Sequence, residues 1–342
     1  LPKIDDSGRA GLTTVSSLLD DEWRERYKRV SKLNIRSSIY DVTNQCNLRC
    51  KGCFFFSSDE HVLDEEKDVK KWEEFIDGEK ARGVNLAILI GGEPTLHLDR
   101  VQAFYDRLPT YCATNGQKKA PRDRFPDMMV GISLWGDSED ERVLRGRDTF
   151  AVSSRNYAGD AYTYYLYTIT PTQVGRLERT VKKIADVGLK VHFQLFSNDE
   201  HAGGFVWTDE MLVRLRQEMD EMLDKYPRTV VSCRYYHEVL TTGQMLGRPW
   251  GWLECPSVTE PLDERRPRPR HLIKFIRWGA DLKTMHRCCT SATRDCRTCK
   301  DGAAHMSWVM VNKRDHIRTA KDLQNWIEVN EMFAKLYRFI PW

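Results

Sequence analysis

The stretch "DVTNQCNLRCKGCFFF", Asp41 to Phe56, places Cys46, Cys50 and Cys53 within eight residues and follows them with three phenylalanines. The spacing is C-x3-C-x2-C, directly after a segment, Ser37–Thr43, that reads as a strand. Thiolates on so short a leash suit an iron–sulfur cube, in which neighbouring irons are held by nearby sulfurs. Three cysteines would hold three of four irons and leave the last one open to a ligand that is not protein. The competing reading is a zinc site completed by a distant His or Cys, since zinc prefers four N or S ligands.

Working outward, the sequence alternates strand-like and helix-like periods. Strand candidates after Ser37–Thr43 are Asn85–Gly92, Thr110–Gly116, Met129–Gly136, Thr163–Thr170, Lys190–Ser197 and Thr229–Tyr236. They are short, rich in β-branched and aromatic residues, and bounded by Gly, Pro or Asn. Between them lie helical stripes: Val174, Leu177, Val181 and Ile184, stopped by Gly188, and Leu212, Leu215, Met219, Met222 and Leu223, stopped by Pro227. Both stripes read as core faces. The alternation predicts α/β architecture with βαβ units and parallel strands. After about residue 240 it fades into a Gly/Pro/Trp-rich loop, and Thr319–Ile340 reads as one terminal helix with Thr319 and Asp322 spaced as a capping box.

Composition sets the outer limits. The chain has 342 residues, 41% hydrophobic and 30% charged, as an ordinary globular protein does. No apolar run is long enough for a membrane span. The opening "LPKIDDSGRAGL" lacks the layout of a secretory signal, so the expected location is cytoplasmic. A net charge of +3 gives no reason to expect nucleic acid as a partner. The basic run Glu264–Arg277 could meet a phosphate or an anionic partner, but reads more plainly as a proline-stiffened solvated loop. Ten cysteines fall into two groups, 46–53 and 288–299, with Cys112, Cys233 and Cys255 apart. In a reducing compartment such clusters more often bind metal than pair.

The ordered series of motifs resembles the radical S-adenosylmethionine (SAM) superfamily. It begins with the three-cysteine loop and "GGEP", Gly91–Pro94, at the end of the next strand. It continues with "ATNG", "ISLWG", "LRGRDTF" and "TITPTQVGRLERTVKKIADVGLKVHFQLF", covering roughly residues 35–240. The resemblance implies a partial (βα)6 TIM-like barrel over residues 35–240, an extension over 1–34, and a small cysteine-rich region over 241–342. One departure is Gly52, which stands where many members carry an aromatic residue.

By the same resemblance, Cys46, Cys50 and Cys53 would bind a [4Fe–4S] cluster whose open iron chelates SAM. Gly91, Gly92 and Glu93 match the segment that receives the methionine amino group, and Pro94 fixes the turn. Ser133 matches a position that contacts the SAM carboxylate or ribose, Phe55 walls the adenine side, and Arg155 stands where some relatives place a carboxylate-binding arginine. An exposed helix arginine is the plain alternative for Arg155. Gln194 faces the barrel mouth or packs within it. The implied chemistry is one-electron cleavage of SAM, fed by a donor such as flavodoxin or ferredoxin. It gives a 5′-deoxyadenosyl radical that abstracts hydrogen from a substrate.

Cys288, Cys289, Cys296 and Cys299, with Cys255 upstream, partly resemble the SPASM or twitch auxiliary-cluster regions, without reproducing their spacing. A second [4Fe–4S] cluster on Cys255, Cys289, Cys296 and Cys299, a structural zinc, and free or paired thiols all remain open. The expected substrate is a small polar metabolite of sugar or nucleoside type, undergoing decarboxylation, dehydration or dehydrogenation in specialised biosynthesis. The general layout is similar to the cytosylglucuronate decarboxylase group. No leader-recognition or cobalamin-type domain is evident before the core. A maturase acting on a peptide or protein side chain, and a non-catalytic metal-binding regulator, are the alternatives.

Overall fold

The computed structural model describes residues 15, 17–56, 64–197, 204–251, 277–286 and 298–341. Six parallel strands form the core: β1 Ser37–Asp41, β2 Leu86–Ile90, β3 Thr110–Thr114, β4 Met129–Leu134, β5 Thr163–Ile169 and β6 Lys190–Leu195. They lie in sequence order, each hydrogen-bonded to the next. Parallel neighbours need a crossover, and helices supply it for most pairs: α2 Val69–Ala81, α3 Leu98–Tyr105, α4 Ser138–Leu144, α5 Thr149–Tyr157 and α6 Leu177–Asp186. α1, Asp21–Ser31, precedes the sheet, and α7, Asp209–Lys225, follows it. This is the α/β, partial TIM-like barrel expected.

Local chemistry sets the helix starts. Asp137, Asp148 and Thr208 each accept an N–H of the first turn of α4, α5 and α7, satisfying donors that have no partner within the helix. The strand register aligns Ser133 on β4 with Leu166 on β5 and His192 on β6. Thr168 and Gln194 are aligned one layer further towards the strands' carboxyl ends. Because side chains alternate faces, all five point to the concave side.

Several expectations need correcting. Val174 lies outside its helix: Pro171 opens a short 3-10 turn, Gly175 takes φ +92°, and α6 starts only at Leu177. Thr229–Tyr236 is not a seventh strand. Val230 makes one parallel bridge to Val191, and α8, Arg234–Thr242, takes over. The region after 240 is more structured than its composition suggests. A hairpin of β7 (Gln244–Met245) and β8 (Arg248–Pro249) is followed by β9 (Arg277–Trp278) and β10 (Met285–His286), which extend the sheet beyond β1. Arg277, the last residue of the basic run, is buried and paired with Asp41 at 2.8 Å, so it is structural rather than solvated. α9, Gly302–Val311, carries no amphipathic stripe to announce it, because it is buried nearly all round.

The terminal helix is observed as α11, Ala320–Leu336, with the short α10, Lys313–His316, before it. Thr319 accepts the Asp322 N–H at 3.1 Å, as the capping spacing predicted. Leu323, Ile327, Trp308 and Val309 join the barrel residues in one hydrophobic core.

Candidate functional site

The three-cysteine loop and the "GGEP" segment are joined by their backbones. The Val42 N–H donates to the Ile90 carbonyl at 2.9 Å, Gly92 N–H to the Thr43 carbonyl at 2.8 Å, and Glu93 N–H to the Gln45 carbonyl at 2.7 Å. These contacts explain the glycines. At Gly91, φ is +120° and a Cβ would stand 2.7 Å from the Thr43 carbonyl oxygen; at Gly92 it would run into the Gln45 carbonyl. No side chain can occupy either position while the cysteine loop lies where it does. Gly52 has a φ of +72°, a left-handed conformation that disfavours the aromatic residue the resemblance leads one to expect there.

Cys46, Cys50 and Cys53 are half-buried and line one cavity of about 310 Å³, together with Phe55, Gly91, Gly92, Glu93 and Ser133. Pro94 does not line it. It is buried and opens the 3-10 turn after Glu93. Glu93 is 1% exposed, and its carboxylate accepts from Thr95 N–H (3.1 Å), the Thr95 and Thr114 hydroxyls (2.6 Å each) and Asn115 N–H (2.7 Å). Its first task is therefore to brace the loop. Oε2 takes only the Asn115 N–H and keeps capacity for one further donor.

Donors converge on the sulfurs. Leu48 N–H points at Cys46 Sγ at 3.4 Å, and Arg145 Nε donates to Cys50 Sγ at 3.4 Å. Burial pushes the Cys46 thiol up to about 11 and raises that of Cys53, so both need a bound cation to persist as thiolates. Arg145, 4% exposed, is held by Glu141, by Thr149 and by the Ser133 carbonyl. Burial opposes its charge, but Glu141 and Cys50 outweigh that and hold the guanidinium above its usual value. Among the described residues, the cation on the cavity wall is Arg145. Arg155 lies on the exposed side of α5 and does not line this cavity. Arg145 stands in the quoted "LRGRDTF", but nothing in that segment says which arginine turns inward.

No three His, Cys, Asp or Glu side chains among the described residues converge as a single ion requires. A cube would hold its cysteines at separate corners, and a loop of three thiols with N–H groups directed at sulfur fits such a cluster. Cys255, Cys288, Cys289 and Cys296 lie outside the described residues. Cys299 is described, with Ser197 Oγ 3.6 Å and Asp301 N–H 3.4 Å from its sulfur. Gln194 lines the cavity, and so does His192, which the sequence did not mark.

No protein-family model matches the chain, and no curated protein matches its sequence. Solved structures do. One is anSMEcpe with bound AdoMet, at 15% identity, with 89% of this chain and 98% of that chain covered and a TM-score of 0.54. Another is anSMEcpe with bound AdoMet and the Cp18Cys peptide, at 17% identity, 84% and 83% coverage and a TM-score of 0.52. Streptococcus suis SuiB bound to precursor peptide SuiA is more remote, at 17% identity and a TM-score of 0.46, with 69% of this chain and 58% of that chain covered. The chain thus has the partial barrel fold of the anSMEcpe structures, with its three-cysteine loop lining the barrel cavity.

Proposed function

We propose that this protein is a radical SAM enzyme. The observation that carries the reading is the joining of the three-cysteine loop to Gly91–Glu93 at the mouth of one cavity. Cys46, Cys50 and Cys53 would hold a [4Fe–4S] cluster. Gly91, Gly92, Glu93, Ser133 and Phe55 would receive SAM, with Pro94 setting the turn and Arg145 in place of Arg155 as the nearby cation. Held there, the cluster would pass on one electron from the external donor and so supply the reductive cleavage of SAM that enables hydrogen-atom abstraction from a substrate. The protein's own residues position and shield. Phe54, Phe55 and Phe56 pack edge to face and give that wall an apolar lining.

The substrate we infer is a small polar metabolite of sugar or nucleoside type; the cavity that would take the cluster and SAM is also lined by Tyr111, Tyr164 and Tyr337, whose hydroxyls suit a polar molecule. Modification of a peptide or protein side chain fits the fold equally well, since anSMEcpe is also solved with a peptide. An external one-electron donor of flavodoxin or ferredoxin type is part of the proposal. So are the divisions at residues 34 and 240 and the cytoplasmic location. Among the described residues, no helix is long and apolar enough to cross a membrane.

Anaerobically reconstituted, dithionite-reduced protein should release 5′-deoxyadenosine from SAM. Its failure to do so would return the chain to a non-catalytic metal-binding role. Iron counting on the Cys46/Cys50/Cys53→Ala triple variant tests the second cluster. About four irons remaining supports one on Cys255, Cys289, Cys296 and Cys299, and none returns them to zinc or thiols.

A further inference from the structure

His192 sits on β6 in the barrel interior, 1% exposed, and lines the cavity two strands from Ser133 in the same register row. With strands about 4.8 Å apart, that places it about 10 Å across the wall from Ser133. Its Nδ1 lies 2.9 Å from the Val231 carbonyl oxygen. A carbonyl can only accept, so Nδ1 carries the proton and Nε2 presents a bare lone pair. Nε2 is buried and has no hydrogen-bond partner among the described residues.

The tautomer is held by construction. Val231 N–H donates to the Val191 carbonyl at 2.8 Å, and Val191 N–H to the Thr229 carbonyl at 2.9 Å. The next residue, Ser232, is tied through its hydroxyl to His237 Nε2 at 2.7 Å, and His237 Nδ1 to Asp220 on α7 at 2.7 Å. The imidazole face stacks on Tyr236 at 5.3 Å and 27°. Ring plane, tautomer and depth are therefore all set before anything binds. Burial also drives the ring's pKa down to about 4, so it is neutral at physiological pH.

An unpaired acceptor buried this deeply is costly unless something satisfies it. We propose that His192 Nε2 is a substrate-binding acceptor, which takes a hydrogen bond from a neutral hydroxyl or amide N–H of the molecule whose C–H bond is attacked. Gln194, one layer nearer the mouth on the same face, is its neighbour along that wall. A carboxylate or phosphate at this depth would meet a lone pair and is rejected, so any anionic group of the substrate points elsewhere. This inference rests on the proposed radical SAM reading, and deepens it by fixing which polarity the far wall accepts.

The test uses the reconstituted full chain with SAM and three donor-bearing probes: methyl β-glucopyranoside, uridine and N-acetylserinamide. Imidazole ¹⁵N resonances of His192, assigned by their loss in His192→Phe, report each probe. The expected result is that at least one probe shifts Nε2 while Nδ1 stays put, and that its dissociation constant rises about tenfold or more in His192→Phe. His192→Gln, which can put a carbonyl oxygen near the place of Nε2, should recover most of the loss. Circular dichroism and urea unfolding separate a binding defect from misfolding. If no probe moves Nε2 in the wild type, or a well-folded His192→Phe binds as tightly as the wild type, the proposal is overturned. The radical SAM reading is judged separately, on the wild type alone, by 5′-deoxyadenosine release from SAM without probe.

Discussion

Replacing Gly91 by alanine should cost far more than the same change at Gly146, although both have positive φ, +120° and +75°. At Gly146 nothing lies within 4 Å of the added Cβ, so the cost is left-handed strain, roughly 1–2 kcal/mol. At Gly91 the φ value lies further outside what an L-residue tolerates, costing about 1–3 kcal/mol. The new Cβ would also press on the Thr43 oxygen at 2.7 Å, the Val42 nitrogen at 3.1 Å and the Asp41 Cα at 3.3 Å. All three atoms are backbone of the segment leading to Cys46, so relief requires moving that segment. Overpacking of this sort adds roughly 1–3 kcal/mol, for a total of about 2–6 kcal/mol. Equilibrium urea unfolding measures the stability, and iron content after anaerobic reconstitution measures the loop. Gly91→Ala should lose most of its iron, whereas Gly146→Ala keeps it. Equal stability losses and equal iron in the two variants would refute the coupling between the glycines and the cysteine loop.

Arg145→Met leaves Glu141 buried without its cation and removes the donor to Cys50; we expect a loss of roughly 3–5 kcal/mol in urea unfolding, and a changed visible spectrum and midpoint potential in the reconstituted protein. Arg155→Ala removes an exposed side chain and should change stability by less than about 0.5 kcal/mol and leave SAM affinity, measured by calorimetry, as it was. His192 and His305 are both pushed down to about 4 by burial. Their folded pKa values lie below the unfolded value of about 6.5, so the unfolded chain binds more protons as pH falls. Their contribution is whole above about pH 6.5 and is lost between there and about pH 4, at up to about 1.4 kcal/mol per pH unit for each ring. Urea midpoints measured across that window should fall with acid, and His192→Phe should flatten the slope.

The alternation of β-branched segments with three-to-four periodicity was enough to place the first six strands in order, because both periods are local consequences of backbone geometry. Spacing alone likewise marked Cys46, Cys50 and Cys53, since ligands on one short loop need no distant partner to be noticed. The helix at Gly302–Val311 escaped because burial on all sides erases the stripe that betrays a surface helix. The strand expected at Thr229–Tyr236 ended after a single bridge because packing against α7 and the barrel, and not β propensity, governs a segment that ends a sheet. Which arginine turns inward, why Gly91 must be glycine, and which nitrogen of His192 carries the proton all depend on contacts between residues about 40 to 100 positions apart. Those contacts exist only once the strands have closed around a common interior, so no local pattern in the chain encodes them.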